Sequence, residues 1–253
     1  MLSSLPVSSH NCHFHSCNHK QLYEIPLVLS SILQYYCNVT FGVSAPMLLL
    51  TVIELIWVEM LGDIMDNAIN ILIFVITAIS FLFCFRKDGR WDLRAGKKSL
   101  RFFTILSNLF CAVSALLWVL SSSYWAWLLK YVGTVAVTVT LLTVIFFLGP
   151  NMGYKPLFSG KDLYLHLCGP LLAIVSFCFM ECQFALSFSL SLLGILPVII
   201  YGFVYLVEVV ILKNWEDFYG YNKDGKWKIS MAAMFAGGFA ACMLIRILYS
   251  IWR

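Results

Sequence analysis

The sequence predicts an all-α fold: a polytopic transmembrane helical bundle of six core helices, with an extra N-terminal helix as an option. Three observations predict it. Hydrophobic residues make up 61% of the chain and charged residues 12%, against roughly half and a quarter in soluble domains. Six apolar stretches each approach the ~20 residues that carry a helix across a bilayer. The basic residues gather in alternate connections between those stretches. Such a chain has too little polar surface to stay dispersed in water, so its apolar excess must face lipid. Within hydrocarbon only helices satisfy every backbone amide inside one segment, and the alternation of barrel strands is missing.

From the N-terminus, residues 1–25 read as a polar tail. The run from His10 to His19 holds Cys12, His13, His15 and Cys17, ligand types that suit zinc. No loop separates two pairs as in a finger, so a tail without metal is the reading taken. No signal peptide fits, because the charged start is missing and the first apolar run comes late. Residues 26–66 form an ambiguous apolar segment. Ile25 to Phe41 is interrupted by Gln34 and Asn38, and Phe41 to Leu61 carries Pro46, Glu54 and Glu59. An extra helix is favoured there over an interfacial helix or an extension outside the bundle.

Residues 67–253 form the six-helix bundle, with spans near 67–85, 102–123, 125–148, 163–181, 187–212 and 229–252. Trp91, Tyr124, Trp125, Trp215, Tyr249 and Trp252 fall at their ends, as interfacial aromatics do. Arg86, Lys87, Arg90, Arg94, Lys97, Lys98 and Arg101 crowd the first connection. Lys155 and Lys161 lie in the third, and Lys213, Lys223, Lys226 and Lys228 in the fifth. The connections near 124 and 182–186 carry none. The positive-inside rule then puts the basic connections in the cytoplasm and the C-terminus outside, in a multi-pass protein of the plasma (cytoplasmic) membrane. Seven of the nine cysteines lie in or beside apolar segments, where cysteine is usually a small reduced packing residue. The absence of G-x-G-x-x-G, Walker and H-E-x-x-H patterns leaves phosphate-binding and metalloprotease readings unsupported. No cofactor, metal or nucleic acid is expected, and the expected partner is membrane lipid.

Polar residues inside spans are costly and therefore candidate functional groups. His166, the one histidine beyond the tail, precedes Pro170 by four residues. If the helix has begun there, Pro170 cannot bond to the carbonyl of residue 166 and the backbone opens. If the helix starts at Pro170, His166 lies among headgroups. Thr104 shares a helix face with Asn108, with Ser107 adjacent; a lone threonine can also bond back to its own preceding turn. The helices bearing Thr104 and His166 start on the same side, so the two residues sit at similar depth and suit a nucleophile–base pair. Asn108 or Ser107 would donate to the oxyanion. Glu208 either orients His166 or reaches the interface. Arg246 snorkels outward. Thr138, Thr140 and Thr143 line the third span, where helix packing explains them as well as chemistry does.

F-x-T-x-x-S-N at 102–108, a Thr-rich third span ending in F-F-L-G-P, and H-x-x-x-P at 166–170 resemble the androgen-induced-gene and androgen-dependent membrane family, especially its bacterial relatives. Pro197, Tyr201, Tyr205 and the W-E-D-F-Y-G-Y run at 215–221 resemble the aromatic end of the bacterial pattern. The resemblance covers about 67–252. It implies a six-span intramembrane hydrolase that cleaves fatty-acyl esters, with Thr104 as nucleophile and His166 as base. A small-solute transporter or channel, or a non-catalytic structural membrane protein, are the rival classes. An enzyme needs Thr104 and His166 converging beside a lipid-sized cavity, and a transporter needs inverted halves or broken helices.

Overall fold

The computed structural model describes the backbone at 45–87 and 89–252, with side chains from residue 62 onward. The Cys/His run at 10–19 and the apolar stretch Ile25 to Phe41 lie outside the described residues. Helix α1 is Ala45–Phe83, so residues 45–61 are helical; the bundle takes in the chain from Gly62 onward. A short hairpin, β1 (Arg86–Lys87) and β2 (Arg90–Trp91), leads to α2 (Leu93–Ser99). Four long helices and a fifth complete the bundle: α3 (Phe103–Ser121), α4 (Tyr124–Met152), α5 (Lys161–Met180), α6 (Phe188–Ile211) and α7 (Trp227–Trp252). With Gly62–Phe83 of α1, they are six segments long and apolar enough to cross a membrane. The chain is a multi-pass integral membrane protein. Even α3, the shortest at 19 residues, reaches roughly 28 Å at 1.5 Å per residue, close to the ~30 Å of hydrocarbon.

Helix α4 is the axis of the bundle. Two-thirds of its apolar window is buried, against about a fifth for α7. It packs most extensively on α3, its antiparallel neighbour, across a two-residue connection. There Ser122 takes a left-handed conformation, and the Ser123 hydroxyl caps α4 by accepting from the Ala126 amide. Small residues let the backbones approach. A Cβ on Gly133 would lie 2.7 Å from Ser114 Oγ and 2.9 Å from the Cα of Cys111. Trp127, Tyr131, Phe177 and Tyr249, all essentially inaccessible, fill the space between α4, α5 and α7.

The three basic connections lie at one end of the bundle, the basic face. Lys98 pairs with Glu216 at 3.3 Å, and the Arg101 guanidinium lies 5.6 Å from the Trp215 ring. These contacts tie the first connection to the fifth. Near this face two helices widen into π turns ahead of a Gly-Pro pair, Val144–Leu148 before Pro150 and Tyr164–Cys168 before Pro170. The cause is the missing proline N–H four residues after Phe146 and His166. The chain shifts register, and the Gly149 and Gly169 amides bond to carbonyls five residues back.

Candidate functional site

Helix α5 is already formed at Lys161 and continues through the π turn, so His166 lies within it and is 9% exposed. Its Nδ1 is 2.8 Å from the Leu157 carbonyl, in the turn that precedes α5. A carbonyl only accepts, so Nδ1 carries the hydrogen, and in the neutral imidazole Nε2 holds the lone pair. Thr104 stands one residue into α3. Asn108 cross-ties the two helices at this level: its Nδ2 donates to the Thr104 carbonyl at 2.7 Å and the Leu165 carbonyl at 3.0 Å. Gly169 makes room for it, since a Cβ there would come within 3.1 Å of Asn108 Oδ1. Both amide hydrogens of Asn108 are thereby used within the backbone. Ser107 Oγ bonds to Thr140 Oγ1 at 2.9 Å and to the Thr104 carbonyl at 3.1 Å. Neither Asn108 nor Ser107 is a free oxyanion donor in this state. Thr138 bonds back to the Thr134 carbonyl at 2.7 Å. Glu208 accepts from Asn214 Nδ2 at 3.1 Å, at the end of α6. Arg246 lies 5.6 Å from the Phe188 ring, and its Nε is buried without a hydrogen-bond partner.

Thr104 forms part of the wall of a cavity of about 670 Å³ between α3, α4, α6, α7 and the fifth connection. Its side chains are apolar or carry hydroxyls: Thr104, Thr140, Thr143, Ser230 and four tyrosines, with no charged residue among them. Phe146 and Ile229, on its α4 and α7 walls, are 75% and 66% exposed, so the cavity borders the lipid-facing surface. The Phe103–Tyr201 ring pair, 5.1 Å apart, divides it from a second, nearly all-apolar cavity of about 620 Å³.

The fifth connection closes the basic end of the larger cavity. Asp217 organises it, accepting from the Tyr221 amide at 2.7 Å, the Asn222 amide at 2.8 Å and the Tyr205 hydroxyl at 3.2 Å. This folds Tyr219 and Tyr221 back onto Tyr205, their rings 5.5 and 5.4 Å from it. The Tyr219 phenol lies beside the side chains of Thr104 and Tyr201. Burial pushes both the Tyr219 and Tyr221 phenols up from the ordinary tyrosine range, so both remain protonated at neutral pH. Among the described residues no hydrogen bond joins Thr104 to His166, and His166 is not part of the cavity wall. Thr104 therefore has a phenol of the fifth connection beside it, while the imidazole is on another helix, outside the cavity wall.

A second constellation, at the opposite face, escaped the sequence reading. Lys130 and Glu181 are both wholly buried, with Lys130 Nζ 3.0 Å from Glu181 Oε1. Lys130 also donates to Asn70 Oδ1 and to Ser176 Oγ. Ser176 Oγ donates to Glu181 Oε1 at 2.5 Å, across a third π turn that brings positions 176 and 181 together. Asp66 accepts from Asn70 Nδ2 at 2.9 Å and from Trp118 Nε1 at 2.7 Å. The network links α1, α3, α4 and α5, and Trp127 and Tyr249 both donate to the Glu181 carbonyl. One signal for it was available: Lys130 is the one charged residue between 124 and 148, and an ionisable group inside a span marks a site by default. Comparison of the chain with family models, curated proteins and solved structures gives no match in any of the three.

Proposed function

We propose that this membrane protein is a lipid-ester hydrolase of the kind its motifs resemble, the androgen-induced-gene and androgen-dependent family. A fatty-acyl ester would enter the 670 Å³ cavity laterally from the bilayer and be cleaved with Thr104 as nucleophile and His166 as base. The single observation that carries the reading is the Thr104 hydroxyl on the wall of an apolar cavity whose size falls in the ~300–1,000 Å³ range of small-molecule sites. The Nδ1–H bond to Leu157 supports it further, because it fixes the tautomer that leaves Nε2 basic. In the reaction, the Thr104 oxygen bonds to the acyl carbon as its proton passes to His166 Nε2. The alkoxy group then departs with that proton, and water releases the fatty acid from the acyl-threonine. The Tyr219 phenol, which lies beside Thr104, is the proposed donor for the oxyanion. Substrate binding has to draw the imidazole and hydroxyl together, as catalytic hydrogen bonds are often long in empty sites. The positive-inside rule sets the basic face in the cytoplasm, and the plasma membrane is the proposed location.

One observation favours a second reading, a lipid-binding site without chemistry: the missing Thr104–His166 hydrogen bond among the described residues. Turnover separates the two. Purified protein in micelles is given a fluorogenic fatty-acyl ester. Thr104→Ala and His166→Ala each lose on the order of 10²-fold or more, Thr104→Ser retains part, and the double variant loses little beyond either single. Undiminished turnover in Thr104→Ala would overturn the hydrolase.

A further inference from the structure

The connection between α1 and α3 carries more charge than the whole chain nets. Between 86 and 101 seven basic residues stand against two acidic ones, while the chain as a whole is +4. The backbone makes a defined platform of it. Gly89, with φ +78°, turns the hairpin, the Asp92 amide bonds back to the Phe85 carbonyl at 2.7 Å, and Gly96 of α2 leaves room for the Phe85 ring. Little of the charge is answered from within. Asp92 Oδ1 caps α2, accepting from the Arg94 and Ala95 amides, and among the described residues the one ion pair of this connection is Lys98 with Glu216. Arg86, Lys87, Arg90, Arg94 and Lys97 are all exposed. Two of them are set directly against each other: Lys87 and Arg90 are cross-strand partners, and like charges placed opposite destabilise a strand pair. An anion between them removes that cost. On α2, Leu93, Arg94 and Lys97 share a face by their three- and four-residue spacing. Trp91 and Leu93 are 65% and 70% exposed beside these cations, and cations mixed with exposed tryptophan and leucine suit the boundary of headgroups and acyl chains.

We infer that this connection is a docking surface for anionic phospholipid headgroups of the leaflet at the basic face: Lys87, Arg90, Arg94 and Lys97 take the phosphates, and Trp91 and Leu93 enter the interface beside them. The occupant follows from where the element is held. It is tied at one end to Phe83, the last residue of α1, and at the other to Phe103, the first of α3, and both helices supply spans. Even standing upright, about three residues per strand at ~3.4 Å carry the hairpin roughly 10 Å from the end of α1. That is close to the ~8 Å over which charges act through physiological salt. Headgroups are therefore the anions always within reach, and a soluble anion offers nothing to Trp91 and Leu93. None of these six residues belongs to the wall of the Thr104 cavity, and the inference does not depend on the hydrolase.

The full-length protein in neutral micelles is titrated with a fluorescent phosphatidylglycerol and, separately, with the phosphatidylcholine of the same chains. Each cation near an anionic headgroup contributes roughly fivefold, so phosphatidylglycerol is expected to bind on the order of a hundredfold more tightly. The preference should shrink as salt is raised, because the charges are exposed. Arg90→Gln/Arg94→Gln/Lys97→Gln should bring the two lipids within about fivefold of each other by weakening phosphatidylglycerol alone. Arg90→Lys/Arg94→Lys, which keeps the charges, should keep the preference. Trp91→Ala/Leu93→Ala should weaken both lipids and leave the salt dependence as it is. Arg90→Gln alone should leave the lipid-free Tm level or raise it, because Lys87 loses its opposed charge; its weaker binding is then not a loss of fold. Equal affinity of the wild type for the two lipids, or an undiminished preference in the triple variant, would overturn the inference. Displacement of phosphatidylglycerol by inorganic phosphate or an oligonucleotide at equal concentration would overturn the lipid assignment in favour of a soluble anion or nucleic acid. None of these measurements involves turnover, so the result stands apart from whether Thr104 cleaves esters.

Discussion

Replacing Lys130 with methionine keeps the length of the side chain and removes its charge. In the wild type the ammonium is wholly buried, 3.0 Å from Glu181 Oε1 and 3.2 Å from Ser176 Oγ. Lys130→Met leaves the Glu181 carboxylate wholly buried with only the Ser176 and Asn70 donors, and leaves Asn70 Oδ1 without its lysine. Removing one partner of a buried pair typically costs about 3–5 kcal/mol, because the other charge is stranded. For a chain of this size that corresponds to a fall in Tm of roughly 6–20 °C. Glu181→Gln should cost a comparable amount, since it strands the ammonium. The double variant Lys130→Met/Glu181→Gln should recover much of the loss, because nothing charged remains between them. The assay is thermal unfolding in micelles, run as a double-mutant cycle on the two positions. A Lys130→Met protein within about 1 kcal/mol of wild type, or a double variant whose loss equals the sum of the singles, would refute the account of this network as a coupled buried pair.

Two further outcomes follow from the fold. A topology reporter inserted within 86–101 or 213–228 should read cytoplasmic and one at 182–186 external; the reverse would invert the orientation drawn from the basic connections. Gly133→Ala should destabilise by about 1–3 kcal/mol, because the new Cβ meets the Cys111 backbone at 2.9 Å, which cannot rotate away. An unchanged Tm there would mean that α3 and α4 do not pack as closely as described.

The spans were legible because lipid imposes a length and a composition, and both can be read locally. Predicted ends at 125, 163, 187 and 229 lie within two residues of the observed starts of α4 to α7. The first span was placed at 67–85, inside a helix, α1, that runs unbroken over Ala45–Phe83. Asp66 lies just before that span, and its donors come from Asn70, four residues on in the same helix, and from Trp118, 52 residues away, which no local pattern announces. The local effect of Pro170 on the backbone at His166 was legible for the same reason, being a matter of one missing N–H. What lay beyond the sequence was convergence. Lys130 and Glu181 are 51 residues apart and share no pattern. Asn108 looked like a donor for chemistry, but its amide is consumed by two backbone carbonyls. Tyr219 and Tyr221 belong to a polar connection, and nothing in their spacing announces that Asp217 folds them back onto the cavity. The aromatic run at 215–221 stood out as a motif while its place over Thr104 did not.

The central claim is that Thr104 is an activated nucleophile facing a lipid-filled space, and a covalent probe reads this directly. The full-length protein in micelles is treated with a long-chain fluorophosphonate, which phosphonylates activated hydroxyls, and the adduct is mapped by mass spectrometry of the digested chain. The account predicts a single modified site, Thr104, with labelling lost in His166→Ala and blocked by excess fatty-acyl ester. A folded protein left unlabelled at Thr104, or labelled equally well with His166 replaced, would contradict it.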